Sequence, residues 1–133
     1  MVDFNCVNNL RMNKITGLVE RGEGLGRTIG YPTINVVIDS DDYESGVYVC
    51  DVVVEGEGYY GAGYVGEKKG LPLGKFICEV FLLDDCGDLY GKNVEIVLLE
   101  KIRDVAKVDS MEELKELIDK DVEYMKDYLN TRK

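Results

Sequence analysis

The stretch VYVCDVVVEGEGYYGAGYVG, residues 47–66, largely decides which fold this chain can adopt. Its first eight residues are rich in β-branched side chains, which is typical of a β-strand. The glycine-containing EGEG that follows is a hairpin turn signal, and YYGAGYVG supplies a partner strand. The stretch therefore predicts an antiparallel β-hairpin.

Further strand-like segments lie on both sides of this hairpin. They are ITGLVE (15–20), TINVVI (33–38), KFICEVFLL (75–83) and KNVEIVLLEKI (92–102). An acidic, turn-rich connection, DSDDYESG, occupies residues 39–46. No helix separates the strands, so parallel βαβ units are excluded, and we expect consecutive strands to pair antiparallel.

The pattern changes to that of a helix near the C-terminus. From residue 111 to 129, apolar side chains recur at the three-and-four spacing of an amphipathic helix. Ser110 and Glu113 form a capping box, which marks where this helix begins. The sequence therefore predicts a mainly β fold, a small closed or nearly closed antiparallel barrel of about six strands. The C-terminal α-helix is expected on the outside of the barrel or over one end.

Length and composition limit the classes of function. A chain of 133 residues is expected to form a single domain over 1–133, with residues 1–13 loosely ordered. The formal net charge of −10 argues against binding to nucleic acid or to an anionic membrane, including a basic groove for single strands. The chain has no histidine, which excludes Ser–His and Cys–His nucleophile pairs and the usual zinc sites.

The N-terminal sequence and the cysteines indicate a compartment. Residues 1–14 lack the basic start and apolar stretch of a signal peptide, so we expect a cytoplasmic protein. The four cysteines are Cys6, Cys50, Cys78 and Cys86, and none is arranged as a CxxC pair. We interpret them as buried, reduced thiols.

The segment GLGRTIGYPTIN, residues 24–35, stands out for its glycines and its one arginine. Backbone N–H groups around Gly22, Gly24, Gly26 and Gly30 could form an anion-binding concavity, and Arg27 could reach a phosphate. The alternative is a long hairpin loop that only needs flexible residues. The segment is neither a Walker loop nor a convincing dinucleotide fingerprint.

Four polar side chains on the strands are candidates for chemistry. Thr33 and Asn35 lie two residues apart, so both point to one face and offer hard oxygen ligands suited to Mg²⁺. Local capping of the loop backbone is the alternative for this pair. Glu79 is the only charge in the row Ile77, Glu79, Phe81, Leu83, where it could serve as a general base or simply lie on a solvated face. Asp51 is a similar acid in the row of Val47, and the pattern alone does not separate Asp51 from Glu79.

Together these residues resemble the riboflavin kinase family, which is also found as the kinase half of bacterial FAD synthetases. The family's opening pattern, GxVxxGxGxGRxLGxPTAN, is followed closely by residues 17–35. Gly46-Val47-Tyr48 matches its G[VI]Y strand, and Cys78-Glu79-Val80 followed by "LYG" at 89–91 matches its glutamate strand and acidic turn. Arg103 and the SMEEL of 110–114 match the arginine and the start of the closing helix. The resemblance runs from about residue 14 into this helix.

The resemblance implies a six-stranded antiparallel barrel that acts as an ATP:riboflavin 5′-phosphotransferase, with riboflavin as substrate and FMN as product. Carried over to this chain, the glycine segment from Gly22 to Gly30 would cover the phosphates of ATP. Thr33 and Asn35 would hold Mg²⁺ and phosphate, Glu79 would take the proton of the ribityl hydroxyl, and Arg103 would lie near the flavin. We expect a monomer that needs no partner beyond these small molecules.

Three features of the sequence depart from the family pattern. The family's phenylalanine before the helix is Val108 here. The family's alanine in PTAN is Ile34 here, and its side chain, which points away from Thr33 and Asn35, is expected in the core. An Asn-Pro-Thr-like stretch is replaced by residues 67–70, EKKG, so the affinity or base preference could differ. The alternative function is a non-catalytic flavin- or nucleotide-binding module, a sensor or carrier on the same barrel.

Overall fold

The computed structural model of the protein describes residues 12–20, 30–84 and 86–131. Within these residues, six β-strands and one α-helix form in the order β1 (Lys14–Leu18), β2 (Thr33–Asp39), β3 (Gly46–Val54), β4 (Glu57–Gly66), β5 (Lys75–Leu82), β6 (Asn93–Arg103) and α1 (Met111–Thr131). A short 3₁₀ turn, Ser40–Asp42, lies between β2 and β3. The mainly β class with one C-terminal helix is confirmed.

The strands form one antiparallel sheet in the order β1-β6-β3-β4-β5-β2. The prediction that consecutive strands pair is therefore confirmed for β3–β4 and β4–β5 but is wrong for the other strands. Strand β2 pairs with β5, and the second neighbour of β3 is β6. The reason lies in the connection after β2. Residues 40–45 contain the 3₁₀ turn, so they carry the chain away from β2 and do not fold it back as a tight hairpin.

The edge strands β1 and β2 approach each other and nearly close the barrel. The backbone N–H of Glu20 donates to the carbonyl of Asn35 at 2.7 Å, which forms a bridge between the chain after β1 and strand β2. The Tyr43 hydroxyl donates to the carbonyl of Lys14 at 2.8 Å. The nearly closed barrel predicted from the sequence is confirmed. Of the N-terminal segment predicted to be loosely ordered, residues 1–11 lie outside the described residues.

Alternate residues of each strand fill the barrel interior. The largest fully buried side chains there include Ile34, Val36, Cys50, Val52, Cys78, Val80, Leu82 and Ile96. Ile34 is only 1% exposed, which confirms that this departure from the family pattern is absorbed by the core. Cys50 and Cys78 are buried free thiols as predicted, whereas Cys86 is only partly buried and Cys6 lies outside the described residues.

Helix α1 packs against the outer face of the barrel. Its first turn is capped as predicted, because the backbone N–H of Glu113 donates to Ser110 Oγ at 3.1 Å. The apolar stripe of the helix and the outer side chains of three strands form a second core, made of Val49, Ala62, Phe81, Ile118, Val122 and Met125. Among the described residues, no helix is both long and apolar enough to cross a membrane.

Candidate functional site

The candidate site is built from one row of side chains that crosses the outer face of the sheet. Arg103 is paired with Val47, Val47 with Tyr64, Tyr64 with Glu79, and Glu79 with Asn35. Residues directly opposite one another on antiparallel strands point to the same side of a sheet. These five residues, here called the cross-strand row, therefore share the face on which α1 lies. Neighbouring members are separated by about 5 Å, the spacing of adjacent strands.

Asn35 is the most deeply buried polar member of the row. It is 3% exposed, and its Oδ1 atom has no hydrogen-bond partner in the described part of the chain. An unpaired buried acceptor costs about 1–3 kcal/mol in free energy of folding. A native protein retains such an atom most readily where a ligand completes it. Asn35 is thus a candidate ligand-binding residue, as predicted from the sequence, while the alternative of capping the loop backbone concerns residues that lie largely outside the described ones.

Thr33 lies beside Asn35 on the same face, opposite Phe81 of β5. A hydroxyl and an amide oxygen two residues apart on one strand are hard ligands of the type that Mg²⁺ prefers. The unpartnered Oδ1 of Asn35 satisfies the requirement for a free donor atom, so these two residues fit a magnesium ion. Both are neutral, so negatively charged phosphate oxygens would have to complete the coordination and supply most of the affinity.

Glu79 is placed by the register directly across from Asn35 on β5, with about 4.5–5.5 Å between their Cβ atoms. Its other cross-strand neighbour is Tyr64 on β4. The Tyr64 hydroxyl donates to the carbonyl of Glu67 at 2.7 Å. Burial, and then the negative charges of Glu67 and Glu79, raise the pKa of Tyr64. Tyr64 therefore stays protonated and fixes the start of the loop after β4 beside Glu79.

Asp51, the competing acid of the sequence analysis, lies elsewhere. It faces Tyr60 and Val97 and follows Val47 by four residues on β3. At about 3.3 Å per residue this places it roughly 13 Å along the strand from the cross-strand row. The structure thus brings Glu79, Asn35 and Thr33 together and leaves Asp51 out.

Arg103 lies at the opposite end of the row from Asn35 and is held by the helix. Its Nε and Nη2 atoms donate to the two carboxylate oxygens of Asp121, each at 2.8 Å, and its Nη1 atom donates to the carbonyl of Asp104 at 3.1 Å. The side chain of Asp121 is only 4% exposed. A bidentate pair with one buried partner fixes both the end of β6 and the rotation of α1. The predicted position of Arg103 near a flavin stays a prediction.

A second contact from the same helix reaches the chain just before Thr33. The hydroxyl of Tyr31 donates to Asp119 Oδ1 at 2.8 Å, and Lys115 Nζ donates to Asp119 Oδ2 at 2.8 Å. Burial and the neighbouring Asp119 raise the pKa of Tyr31 to about 12. The hydroxyl therefore remains a donor. The lysine and tyrosine bonds lower the pKa of Asp119, so its carboxylate remains charged.

The loop between β4 and β5 borders an open groove of about 670 Å³ at the other end of the β2–β5 ladder. The groove is lined by Ser40 and residues 67–76, which include the departure from the family pattern at 67–70. An ion pair between Lys75 and Asp39 marks this end of the two strands. The groove thus begins at Ser40, five residues after Asn35 and just beyond the end of β2.

The glycine segment is only partly within the described residues. Gly22, Gly24, Gly26 and Arg27 lie outside them, so their predicted role at the phosphates stays a prediction. Gly30 is described and has a φ of +97° with no neighbour within 4 Å of an added Cβ atom. Its conformation, not crowding, is what favours glycine there.

Sequence reasoning missed Asp121, Asp119, Tyr31 and Tyr64. Asp121 carried a signal, because it falls inside the apolar stripe of the helix, between Ile118 and Met125. An acid in such a stripe must be paired. Tyr31 and Asp119 are 88 residues apart in sequence, and no local pattern links them.

Comparison with protein families gives one match that covers most of the chain. The family model described as Flavokinase, riboflavin kinase, matches residues 10–129. Among curated proteins, the chain is 36% identical over 133 residues to a bifunctional riboflavin kinase/FMN adenylyltransferase of Haemophilus influenzae, covering 97% of this chain and 43% of that protein. The chain spans from about a fifth to about a half of the length of the curated relatives it matches.

Two solved structures have a similar fold. Riboflavin kinase from Trypanosoma brucei aligns with a TM-score of 0.61 and 28% identity, covering 88% of this chain and 79% of that one. A macrolide-efflux protein from Streptococcus pneumoniae aligns with a TM-score of 0.70 and 35% identity, covering 85% of this chain and 38% of that one. The six-stranded architecture with one C-terminal helix is therefore shared with solved proteins.

Proposed function

The chain belongs to the riboflavin kinase family, and from this premise we propose that it transfers the γ-phosphate of ATP to the 5′-hydroxyl of riboflavin, giving FMN and ADP. The observation that carries the proposal is the pairing of Glu79 with Asn35 across β5 and β2. This pairing sets a carboxylate beside a buried, unpartnered amide oxygen. Phosphoryl transfer needs a group that takes the acceptor proton and, close to it, groups that hold the phosphates.

Each residue of the site has a distinct role in this proposal. Glu79 accepts the proton of the riboflavin 5′-hydroxyl as that oxygen attacks the γ-phosphorus, and the bond from phosphorus to the β–γ bridging oxygen breaks. Thr33 and Asn35 would hold Mg²⁺ together with phosphate oxygens. The bound ion would neutralise part of the charge on the triphosphate. Tyr64 keeps the loop after β4 in place beside Glu79.

Arg103 and the groove complete the proposed substrate contacts. We place the flavin toward the Arg103 end of the cross-strand row, where the pair with Asp121 makes a rigid wall. The nucleotide base lies toward the groove lined by residues 67–76. Because three lysines and several apolar side chains line that groove, the EKKG sequence at 67–70 is expected to influence nucleotide affinity.

The setting of this reaction is also part of the proposal. The free thiols of Cys50 and Cys78 support a reducing compartment, and we place the protein in the cytoplasm. The bridge between Glu20 and Asn35 pairs the two edges of the sheet. Strand edges that are covered in this way favour a monomer.

The test is FMN formation by the purified protein. Riboflavin, ATP and Mg²⁺ are supplied together, then each is omitted in turn, and the fluorescent products are separated by chromatography. Conversion to FMN that requires all three components is the expected result. Quenching of riboflavin fluorescence without conversion would contradict the kinase and establish the flavin-binding module instead.

A further inference from the structure

The contact between Tyr31 and Asp119 joins the chain just before Thr33 to helix α1. Tyr31 immediately follows Gly30 and precedes Pro32 and Thr33, so it lies where the chain enters β2. Its ring packs against the second core between α1 and the barrel. Its hydroxyl donates to Asp119 Oδ1 at 2.8 Å. The approach to Thr33 is thus tied to the helix by a side chain that is fixed at both its ring and its tip.

The acceptor in this contact is itself held in place. Lys115, one turn earlier on α1, donates to the other oxygen of Asp119 at 2.8 Å. This ion pair is exposed on both sides, so it orients the carboxylate but contributes little free energy, and the bond from Tyr31 is the main tie. Next to Tyr31, the carbonyl of Pro32 accepts a hydrogen bond from the N–H of Leu82 at 2.8 Å. The segment is therefore anchored on one side to the helix and on the other to β5.

Helix α1 carries a second such anchor two residues later. Asp121 binds Arg103, which ends the cross-strand row, while Asp119 binds the chain just before Thr33. A single rigid element thus fixes Arg103 and the approach to Thr33. Cutting the bond between Tyr31 and Asp119 would loosen the chain just before Thr33 and leave the Arg103 end of the row in place.

We propose that Tyr31 and Asp119 are positioning residues for the nucleotide side of the site, which hold Thr33 and Asn35 in the geometry that receives a metal-bound triphosphate. The inference rests on the proposed function. It predicts a selective effect, because the anchor touches the approach to Thr33 and leaves the Arg103 end of the row alone. Affinity for nucleotide should depend on the Tyr31 hydroxyl, and affinity for riboflavin should not.

Tyr31→Phe removes only the hydroxyl and keeps the ring in its apolar contacts. Tyr124→Phe is the control, because Tyr124 of α1 also donates its hydroxyl to a carboxylate across the contact between helix and barrel, that of Glu100 on β6, away from Thr33. We expect Tyr31→Phe to raise the KM for ATP and the Kd for ADP with Mg²⁺ by about fivefold to tenfold, with the KM for riboflavin unchanged. Tyr124→Phe should change none of these values.

Variants of the acceptor separate the hydrogen bond from the charge. Asp119→Asn keeps an oxygen that can accept from Tyr31 but loses the charge and the bond from Lys115, so it should raise the KM for ATP by less than Tyr31→Phe does. Asp119→Leu removes the acceptor and should behave like Tyr31→Phe. Lys115→Met removes only the exposed ion pair and should leave the KM for ATP nearly unchanged.

Hydrogen exchange supplies a readout that does not depend on turnover. In the nucleotide-free protein, the Leu82 N–H that donates to Pro32 should exchange several-fold faster in Tyr31→Phe than in Tyr124→Phe. Equal exchange rates, equal Kd values for ADP, or a uniform rise in both KM values would overturn the inference. If the wild type makes no FMN, the proposed function fails, while exchange at Leu82 and ADP binding still decide the inference. Absence of ADP binding by the wild type would count against it.

Discussion

Removing the guanidinium of Arg103 should destabilise the fold far more than removing an exposed lysine does. Asp121 is 4% exposed in its side chain, and its two oxygens receive two of the three hydrogen bonds of Arg103. In Arg103→Met that carboxylate stays buried without its partner. Breaking a buried pair from one side costs about 3–5 kcal/mol in free energy of unfolding. Because Arg103 is itself one quarter exposed, we expect the loss of unfolding free energy at the lower end of this range, about 3 kcal/mol.

For a chain of 133 residues, that loss corresponds to a fall in Tm of about 10 °C. Thermal unfolding followed by circular dichroism measures it. Lys101→Met is the control, because Lys101 pairs with the exposed acids Glu44 and Asp104. Exposed pairs contribute at most about 1 kcal/mol each, so its Tm should fall by only a few degrees. Equal Tm values for Arg103→Met and Lys101→Met would refute the reasoning.

The double variant Arg103→Met/Asp121→Leu separates stability from a role of Arg103 at the flavin. It buries no uncompensated charge, so most of the lost Tm should return. If Arg103 also contacts the flavin, riboflavin binding should remain weak in this stable double variant. Recovery of both Tm and riboflavin affinity would restrict Arg103 to holding the helix.

Three further predictions concern single atoms of the structure. Asn35→Leu should leave Tm unchanged or raise it by a few degrees, because it removes a buried oxygen that has no partner without a ligand. Turnover should be lost in the same variant. A lower Tm with retained turnover would contradict this prediction. Burial raises the pKa of the Cys50 thiol, and burial and then Glu79 raise that of Cys78 to about 12. At pH 8, iodoacetamide should therefore label Cys86 in the folded protein but label Cys50 and Cys78 only in urea, as peptide mass spectrometry can show. Gly63→Ala should cost about 1–3 kcal/mol in free energy of unfolding, since its Cβ atom would lie 2.5 Å from Cys50 Sγ; unaltered denaturant unfolding would show that the barrel interior is looser than described.

The strands and the helix were predictable because their signals are local. Strand-like apolar and β-branched runs bounded by turn signals predicted the six described strands with bounds within two residues, and the Ser110 cap predicted the start of the helix. The order of the strands in the sheet was harder to predict from the sequence. The turn between β2 and β3 looks in sequence like an ordinary connection, yet its 3₁₀ turn sends the chain to a strand three places away in the sheet.

The candidate site was predictable only where a polar residue breaks an apolar pattern. Glu79 does so on a strand, and the register then sets it beside Asn35. Asp121 does so on the helix, but recognising its partner requires knowing that α1 lies over the end of β6. The contact between Tyr31 and Asp119 depends wholly on tertiary packing, so no spacing in the sequence could reveal it.

The most direct test of the central claim compares two acids that lie on the same outer face. Glu79→Gln and Asp51→Asn each remove one negative charge and keep the shape of the side chain. FMN formation and riboflavin binding are measured for both variants and for the wild type. We expect Glu79→Gln to lose about 10²- to 10⁴-fold in kcat while still binding riboflavin, and Asp51→Asn to turn over like the wild type. Undiminished turnover in Glu79→Gln, or equal losses in both variants, would contradict the assignment of Glu79 as the base.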